Sequence, residues 1–490
     1  MDSLLRDAVR HLAPSLATLL ELGELFSGAG HELALVGGPV RDAFLGRSAP
    51  DLDLTTSASP AQTEALLEPW ADSTWDVGRE FGTIAARRHD WTIEITTYRA
   101  DAYDGTTRKP VVAFGDNLVD DLVRRDFTVN AMALRLPSLE FVDPHGGLDD
   151  LVARRLRTPS APEVSFSDDP LRMMRAARFV SQLGFALDPE VETAMREAAA
   201  SLDIVSAERV RDEFVKLVLG ANPVAGLRVL VDTGLADRML PEFATLRETV
   251  DEHRRHKDVY EHTLTVLEQA IDLEDAPLDE AADDTTGSDG SGAVPSPDLV
   301  LRLAAILHDI GKPPTRRFEP GGGVSFHHHE MVGAKMTSKR MRALRFDKDT
   351  TKAVSRLVEL HLRFHGYADG EWTDSAVRRY VTDAGPLLQR LHRLTRADCT
   401  TRNARKAARL RTAYDALEAR IDRLTAEEEL KAVRPELNGN EIAELLGITP
   451  GPVLGKAYKQ ALEIRMDEGP IGKEAVAERL LAWWKDQPES

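Results

Sequence analysis

The stretch from Leu33 to Thr56 reads LALVGGPVRDAFLGRSAPDLDLTT, and its reading decides how the rest of the chain is organised. Leu33 to Val36 form an apolar strand ending at Gly37 and Gly38; a short helical run follows, and Asp51, Leu52 and Asp53 open a second strand. Side chains at i and i+2 of a strand leave on one face, so Asp51 and Asp53 stand side by side while Leu52 enters the core. Adjacent carboxylates repel unless a cation lies between them, and an all-oxygen site suits Mg²⁺. The two glycines let backbone N–H groups come close to a phosphate, as bulkier residues would not. Together these features point to a metal–nucleotide site. With 81 acidic residues in 490, an Asp-x-Asp pair alone says little; its place after a strand, Gly-Gly and Val40-Arg41-Asp42 is what restricts the reading.

Downstream, a helix is expected over Pro60 to Leu67 and a strand around Gly82 to Ala86. Trp91, Ile93 and Ile95 then alternate with Thr92, Glu94 and Thr96, the pattern of a half-buried strand, which turns Glu94 away from the apolar face. In DDLVRRDFTVNAMAL (Asp120 to Leu134), Arg124, Arg125, Asp126 and Asn130 cluster ahead of an apolar strand. Guanidinium forks match triphosphate oxygens, and Asp and Asn exchange hydrogen bonds with ribose hydroxyls. From Ser167 the chain turns helical, beginning FSDDPLRMMRAARFVSQLGF, with Ser167 or Asp168 expected as cap and Pro170 in the first turn.

Asp169 and Arg172, three residues apart, share a helical face. Cytosine and adenine each present an amino donor beside a ring-nitrogen acceptor; uracil and guanine present the reverse. An acceptor carboxylate beside a donor guanidinium therefore accepts C and A and leaves two mismatched polar pairs against U and G. Such a pair selects C and A without a nucleic-acid template. Arg175 continues the same face toward phosphate.

In this order the motifs resemble the head domain of the tRNA nucleotidyltransferase and poly(A) polymerase family, within the polymerase-beta-like nucleotidyltransferases. RRDFTVNA matches a family motif, and Asp168-Asp169 with Arg172 resembles the EDxxR element of class II CCA-adding enzymes, Asp168 standing where the family often has Glu. The resemblance implies that Asp51 and Asp53 hold Mg²⁺ and that Glu94 completes a catalytic trio. It also implies that Gly37, Gly38, Arg41, Arg124, Arg125, Asp126, Asn130, Asp169, Arg172 and Arg175 bind the nucleotide. Asp101 to Asn117 resembles the family's flexible loop between nucleotide-binding motifs. The amphipathic run Ile204 to Gly220, with Val210, Phe214, Leu217 and Val218 as its core stripe, matches another family helix and is read as structural.

A second chemistry begins after Asp251. His262 lies on a helical run, His308-Asp309 follows the apolar LRLAAIL in HDIGK, and His327, His328, His329, His361, His365 and Asp398 come later. Neutral imidazoles and carboxylates bind divalent transition metals, which polarise phosphate and activate water. The spacing resembles the HD phosphohydrolase superfamily. His262, His308, Asp309 and Asp398 map onto its core ligands, and His329 and His361 onto the extra positions of two-metal members. His253, His256, His365 and His392 are read as structural or exposed.

A chain of 490 residues is too long for one core. The expected division is a nucleotidyltransferase head (1–157), a helical neck that selects the nucleotide and binds RNA (158–245), an HD domain (246–405) and a helical tRNA-binding tail (406–490). The fold class is α+β: a mixed sheet with helices in the head, then an all-helical body. The net charge of −19 disfavours phosphate binding over the whole surface, but its distribution is uneven. Asp272 to Asp298 carries nine acids and no base, and is expected to be a disordered, solvated loop; Ala376 to Arg434 carries 14 basic and 8 acidic residues. In the tail, Gly447, Pro450, Gly451 and Gly455 punctuate two helices, the second offering its N-terminus to phosphate. That region resembles the part of the family that touches tRNA; a plain helical hairpin is the other reading.

No apolar run approaches the roughly 18 residues of a membrane span, the start MDSLLRDAVR lacks a signal-peptide core, and Cys399 is the single cysteine. A cytoplasmic setting is expected, with no membrane partner and no oligomeric state specified. The resemblance implies sequential addition of C, C and A from CTP and ATP to tRNA, with phosphohydrolysis at the HD centre as a second activity. A poly(A) polymerase or a CC- or A-adding enzyme shares nearly every motif. An HD hydrolase with a decayed head and a non-catalytic RNA-binding protein are the alternatives from other classes.

Overall fold

The computed structural model describes residues 2–48, 51–78, 82–99, 115, 117–249, 258–274, 295–320, 323–364, 372–399, 404–428 and 434–487. Most of the loop Asp101 to Asn117 and of the acidic segment Asp272 to Asp298 lies outside them, as do His253, His256 and His365. The chain divides into two compact units, Met1–Met239 and Leu240–Ser490.

The first unit is built on seven strands: β1 (Leu33–Val36), β2 (Asp51–Thr56), β3 (Ser73–Gly78), β4 (Thr83–Arg88), β5 (Trp91–Thr97), β6 (Ala133–Leu136) and β7 (Glu140–Val142). Their order in the sheet is β3-β4-β5-β2-β1-β6-β7. Neighbours run antiparallel except β2 and β5, which are parallel with Asp51 opposite Thr92 and Asp53 opposite Glu94. β1, enclosed between β2 and β6, is buried along its whole length. Ala34 and Val36 pack there with Tyr98, Leu118, Leu122, Ala131 and Ala133.

Two helical expectations are corrected. The helical spacing of Leu4, Leu5, Val9, Leu12, Leu16, Leu19 and Leu20 predicts one helix within residues 1 to 30, but the chain forms two, α1 (Asp2–His11) and α2 (Ala13–Gly28), broken at Leu12, because Pro14 has no N–H for a continuous helix. After α3 (Gly38–Phe44), Ser167 and Asp168 end one helix, α4 (Pro162–Asp168), instead of capping the next. A residue before proline is driven out of the helical region, and Asp169 is extended at φ −145° and ψ 101°. Helix α5 (Leu171–Leu183) starts beyond it, and the Asp169 carboxylate accepts the Leu171 N–H at 3.1 Å. Helix α6 (Ala207–Val218), capped by Ser206, packs along α5 and buries the expected Val210, Phe214, Leu217 and Val218.

Among its described residues the second unit is helical apart from one two-stranded hairpin, Arg317–Phe318 with Val324–Ser325. Its centre is made by α7 (Val259–Asp272), α8 (Leu299–Leu307), α9 (His329–Ala343), α10 (Lys348–Leu360) and α11 (Leu388–Asp398). Two acids near the ends of the acidic segment are not solvated, although Asp272 is exposed. Glu274 is buried in a two-pronged pair with Arg302 (2.8 Å twice), and buried Asp298 caps α8 and pairs with Arg390 at 2.7 Å. Beyond the long helix Ala404–Glu428, the described residues of the tail form three further helices, α12 (Gly439–Leu446), α13 (Pro452–Glu468) and α14 (Lys473–Lys485); Gly447 and Gly451 bound them as expected, whereas Gly455 lies inside α13.

Candidate functional site

Asp51 and Asp53 leave the exposed face of β2, with Leu52 and Leu54 buried behind them. The parallel register puts Glu94 of β5 directly beside Asp53. Desolvation, followed by repulsion from Asp53 and Asp51, pushes the Glu94 carboxyl above its ordinary range. Asp53 is also pushed up by desolvation; Arg125, Arg175 and Arg41 oppose this and Asp51 adds to it. No hydrogen bond or ion pair among the described residues relieves the three carboxylates. Like charges converging from adjacent strands fit a hard divalent cation.

Gly37 ends β1 with φ +72° and opens α3, a conformation glycine adopts without strain. A Cβ there would lie 3.2 Å from Arg125 Nη1, and one on Gly38 would lie 3.7 Å from Arg41 Nη2. Two guanidinium groups thus flank the glycine turn, the surroundings a phosphate requires. Arg125 is held by Asp121 at 3.2 Å, and Asp121 accepts the Thr55 hydroxyl of β2.

Arg41, Asn130, Asp126 and Arg175 come together as one buried chain of hydrogen bonds. Arg41 donates to both oxygens of Asp42 (2.9 and 3.0 Å) and to Asn130 Oδ1 (2.8 Å). Asn130 Nδ2 donates to Asp126 at 3.0 Å, the Phe127 N–H donates at 2.8 Å, and Arg175 closes the other oxygen at 2.8 Å. Burial alone would raise the Asp126 carboxyl; Arg175, Asn130 and the Phe127 N–H outweigh it and hold it below the ordinary range. Asp126 and Arg41 therefore sit behind the site, fixing their neighbours. Buried Asp150 supports the same turn, accepting the Thr128 hydroxyl at 2.7 Å and pairing with Arg155 and Arg157. Phe179 of α5 lies under the guanidinium carbons of Arg178 (4.3 Å), Arg41 (5.3 Å) and Arg175 (6.0 Å).

The expected shared helical face does not form: Asp169 is extended ahead of α5 while Arg172 lies in its first turn, and each has its own anchors. Asp169 Oδ1 takes the Leu171 N–H and Oδ2 takes Arg209 Nη2 at 2.9 Å. Arg172 donates to Ser165 Oγ (2.9 Å) and carbonyl (3.3 Å), and to the Arg124 carbonyl (2.5 Å). Arg124 thus meets Arg172 through its backbone.

In the second unit, His262, His308 and Asp398 form one group of possible ligands, and Asp309, His329 and His361 another, the atoms of each within 4.8 Å of one another. His262 Nε2 lies 3.0 Å from Asp398 and 3.5 Å from Asp309; His329 Nε2 lies 3.3 Å from Asp309. His308, His329 and His361 each place Nδ1 on the carbonyl three residues earlier, at 2.8, 2.8 and 2.6 Å. The carbonyls accept, so Nδ1 carries the proton and Nε2 is turned inward among the other candidate ligands. The Nε2 of His361 is buried with no hydrogen-bond partner, and that of His329 has only the Asp309 carboxylate near it, which fits a bound metal. Burial, reinforced by His308, pulls the His361 imidazole down to about 3, so it stays neutral. Of the three consecutive histidines only His329 faces the centre. His328 has φ +61°, and both it and His327 are exposed beside Glu330 and Glu319. Lys312 Nζ lies 2.8 Å from Asp309. His392, read as structural, is buried away from these groups beside Glu418.

A mixed sheet carrying three converging carboxylates beside a glycine turn, joined to a helical neck, defines a nucleotidyltransferase head. Residues 33–157 match the "Poly A polymerase head domain", 184–246 the "Probable RNA and SrmB- binding site of polymerase A", and 259–426 the "HD domain". The chain is 34% identical over 462 residues to the A-adding tRNA nucleotidyltransferase of Deinococcus radiodurans, covering 93% of this chain and 96% of that protein. It is 42% identical over 223 residues to the CCA-adding enzyme of Bacillus subtilis, covering 45% of this chain and 55% of that enzyme. The fold is shared with the Bacillus stearothermophilus CCA-adding enzyme crystallised with CTP (TM-score 0.65, 23% identity, 97% and 98% of the two chains). It is shared also with the Thermotoga maritima enzyme complexed with tRNA (TM-score 0.61, 19% identity, 98% of each chain). The chain belongs to the tRNA nucleotidyltransferase and poly(A) polymerase family, and is a nucleotidyltransferase with an HD domain. No helix among the described residues is long and apolar enough to cross a membrane.

Sequence reasoning missed Arg209, Asp150, Lys312 and the pair Arg178 with Glu213 (3.2 Å). Arg209 and Glu213 lie four apart on α6, a spacing that signals a shared face but not its partners.

Proposed function

We propose that the chain adds C, C and A to the 3′ end of tRNA from CTP and ATP, in the cytoplasm. The carrying observation is the pair at the start of α5: Asp169 with both oxygens receiving N–H groups, and Arg172 held by the carbonyl of Arg124. An acceptor and a donor, each anchored where α5 begins, match the edges of C and A and oppose those of U and G. Gly37, Gly38 and Arg125 receive the triphosphate, Asn130 the ribose, and Arg41, Asp126 and Arg175 hold these groups in place. Asp51, Asp53 and Glu94 would hold Mg²⁺, which supplies Lewis-acid polarisation of the α-phosphate and stabilises the leaving pyrophosphate. The HD ligands would hold one or two divalent transition metals, for hydrolysis of a phosphate ester.

A second reading, addition of the terminal A alone, is favoured by one observation. The relative matched over 96% of its length is an A-adding enzyme, whereas the matched CCA-adding enzyme of Bacillus subtilis aligns over about half its length. Labelled CTP and ATP, supplied separately and together to tRNAs ending before CCA, after C and after CC, decide between them. Growth from all three primers, stopping at CCA, supports CCA addition. Extension of the CC primer alone supports the second reading, long A tracts indicate a poly(A) polymerase, and no addition overturns both.

A further inference from the structure

The two-stranded hairpin of the second unit stands between two parts of the HD centre. It leaves the turn that carries Asp309 and Lys312 and returns into His329 at the start of α9. Buried Phe326, just past its second strand, is tied to both. Its ring lies 5.6 Å from Lys312 Nζ, which lies 2.8 Å from Asp309, and its carbonyl accepts the His329 Nδ1 proton at 2.8 Å.

Strand alternation carries that contact outward. Arg317 is opposite Ser325 and Phe318 opposite Val324, so odd-numbered side chains share one face of the hairpin and even-numbered ones the other. The contacts agree. On the odd face Glu319 accepts the Ser325 hydroxyl and lies 4.0 Å from His327; on the even face the Arg316 guanidinium sits over the Phe318 ring at 5.4 Å. Phe326 belongs to the even face, so Arg316 and Phe318 continue the surface that begins on Lys312, Phe318 about 7 Å farther out at two residues of strand rise. At 76% exposed, Phe318 is the most exposed large apolar side chain among the described residues. The Arg316 guanidinium has no ion pair or hydrogen bond among them. Folding gains nothing from an aromatic ring left in water, whereas a ring beside an unpaired guanidinium, with the carboxylate turned to the other face, is what holds a nucleobase and its phosphate.

We infer that this hairpin face is a subsite of the HD centre for single-stranded nucleic acid: Phe318 stacks a base, Arg316 meets the neighbouring phosphate, and the phosphate ester at the end of the strand lies among the candidate metal ligands. This rests on the reading of the centre as a phosphate-ester hydrolase. In that reaction water forms the new P–O bond and the ester oxygen leaves with a proton, giving inorganic phosphate and a strand that ends in a hydroxyl.

Full-length wild type, Phe318→Ala, Phe318→Tyr and Arg316→Ala, with Mn²⁺ and no nucleoside triphosphate, are assayed for phosphate release. The substrates are a single-stranded RNA oligonucleotide with a terminal phosphate and p-nitrophenyl phosphate. Wild type is expected to favour the oligonucleotide in kcat/KM. Phe318→Ala should lower the ratio of the two about tenfold, the scale of one lost base–aromatic stack, and Arg316→Ala should lower it in the same direction. Phe318→Tyr, which keeps the ring, should retain it. A parallel fall for both substrates or an unchanged ratio in Phe318→Ala overturns the inference, as does a wild type that uses p-nitrophenyl phosphate as well as the oligonucleotide. Release from neither substrate marks failure of the hydrolase reading, and the subsite is then read by cross-linking. An oligonucleotide with 4-thiouridine beside its terminal phosphate is irradiated with the Mn²⁺-loaded chain. Cross-links on the hairpin that are lost in Phe318→Ala support the inference, and cross-links confined to the head overturn it.

Discussion

At the scale of single residues, the two centres make opposite use of charge. In the head, Asp51, Asp53 and Glu94 are set against one another, and desolvation together with mutual repulsion raises Asp53 and Glu94. Asp53→Asn is expected to cost several kcal/mol of transition-state stabilisation, on the order of 10³-fold in kcat, measured as pyrophosphate release. HD metal uptake by that variant should be unchanged. His392 gives a pH prediction away from both centres. Burial, reinforced by Arg396 and opposed by Glu418, lowers its imidazole to about 4 from 6.5. The unfolded chain therefore binds a proton that the folded chain refuses: the stabilisation is complete above pH 6.5 and declines as pH falls toward 4. Between pH 7 and pH 5 the wild type should lose ~2 kcal/mol more than His392→Gln, read by urea denaturation at each pH. Asp51, Asp53 and Glu94 were legible because strand alternation is a local rule. The inner placement of Asp126 was not, since its partner Arg175 lies 49 residues away.

Elements carry the next set of constraints. The turn after α8 presses on the first turn of α9 at Gly311, where a Cβ would lie 2.1 Å from the His329 carbonyl and 2.7 Å from the Gly333 nitrogen. Gly311→Ala must push α9 away and move His329 with it. A loss of about 1–3 kcal/mol in stability and about 10–100-fold in Mn²⁺ affinity is expected, measured by thermal melting and calorimetric titration. The choice of His329 among three histidines depends on the positive φ of His328, which no residue type there announces. The break between α4 and α5 was legible in principle, because Asp169 precedes a proline. The ends of the acidic segment were hidden by averaging: composition describes the run as solvated, while Glu274 and Asp298 pair with arginines 28 and 92 residues on.

For the molecule as a whole, the division into two units predicts separable responses. Divalent metal at a hundred times its dissociation constant should stabilise the second unit by about 2.7 kcal/mol. That shift should disappear in His361→Ala and persist in Asp53→Asn, as followed by calorimetry. The fold class was legible from the switch between strand alternation and helical periodicity, and the resemblance supplied the order of the domains.

The histidine anchors bear on how such a centre could be lost over evolutionary time. His308, His329 and His361 are each oriented by a main-chain carbonyl three residues back, not by another side chain. Substitution elsewhere can remove a supporting side chain, but every residue type supplies a carbonyl, so drift in the surroundings leaves the tautomers unchanged. Inactivation would then be recorded chiefly in the ligands themselves, and a lineage that retains all six retains the means to bind metal.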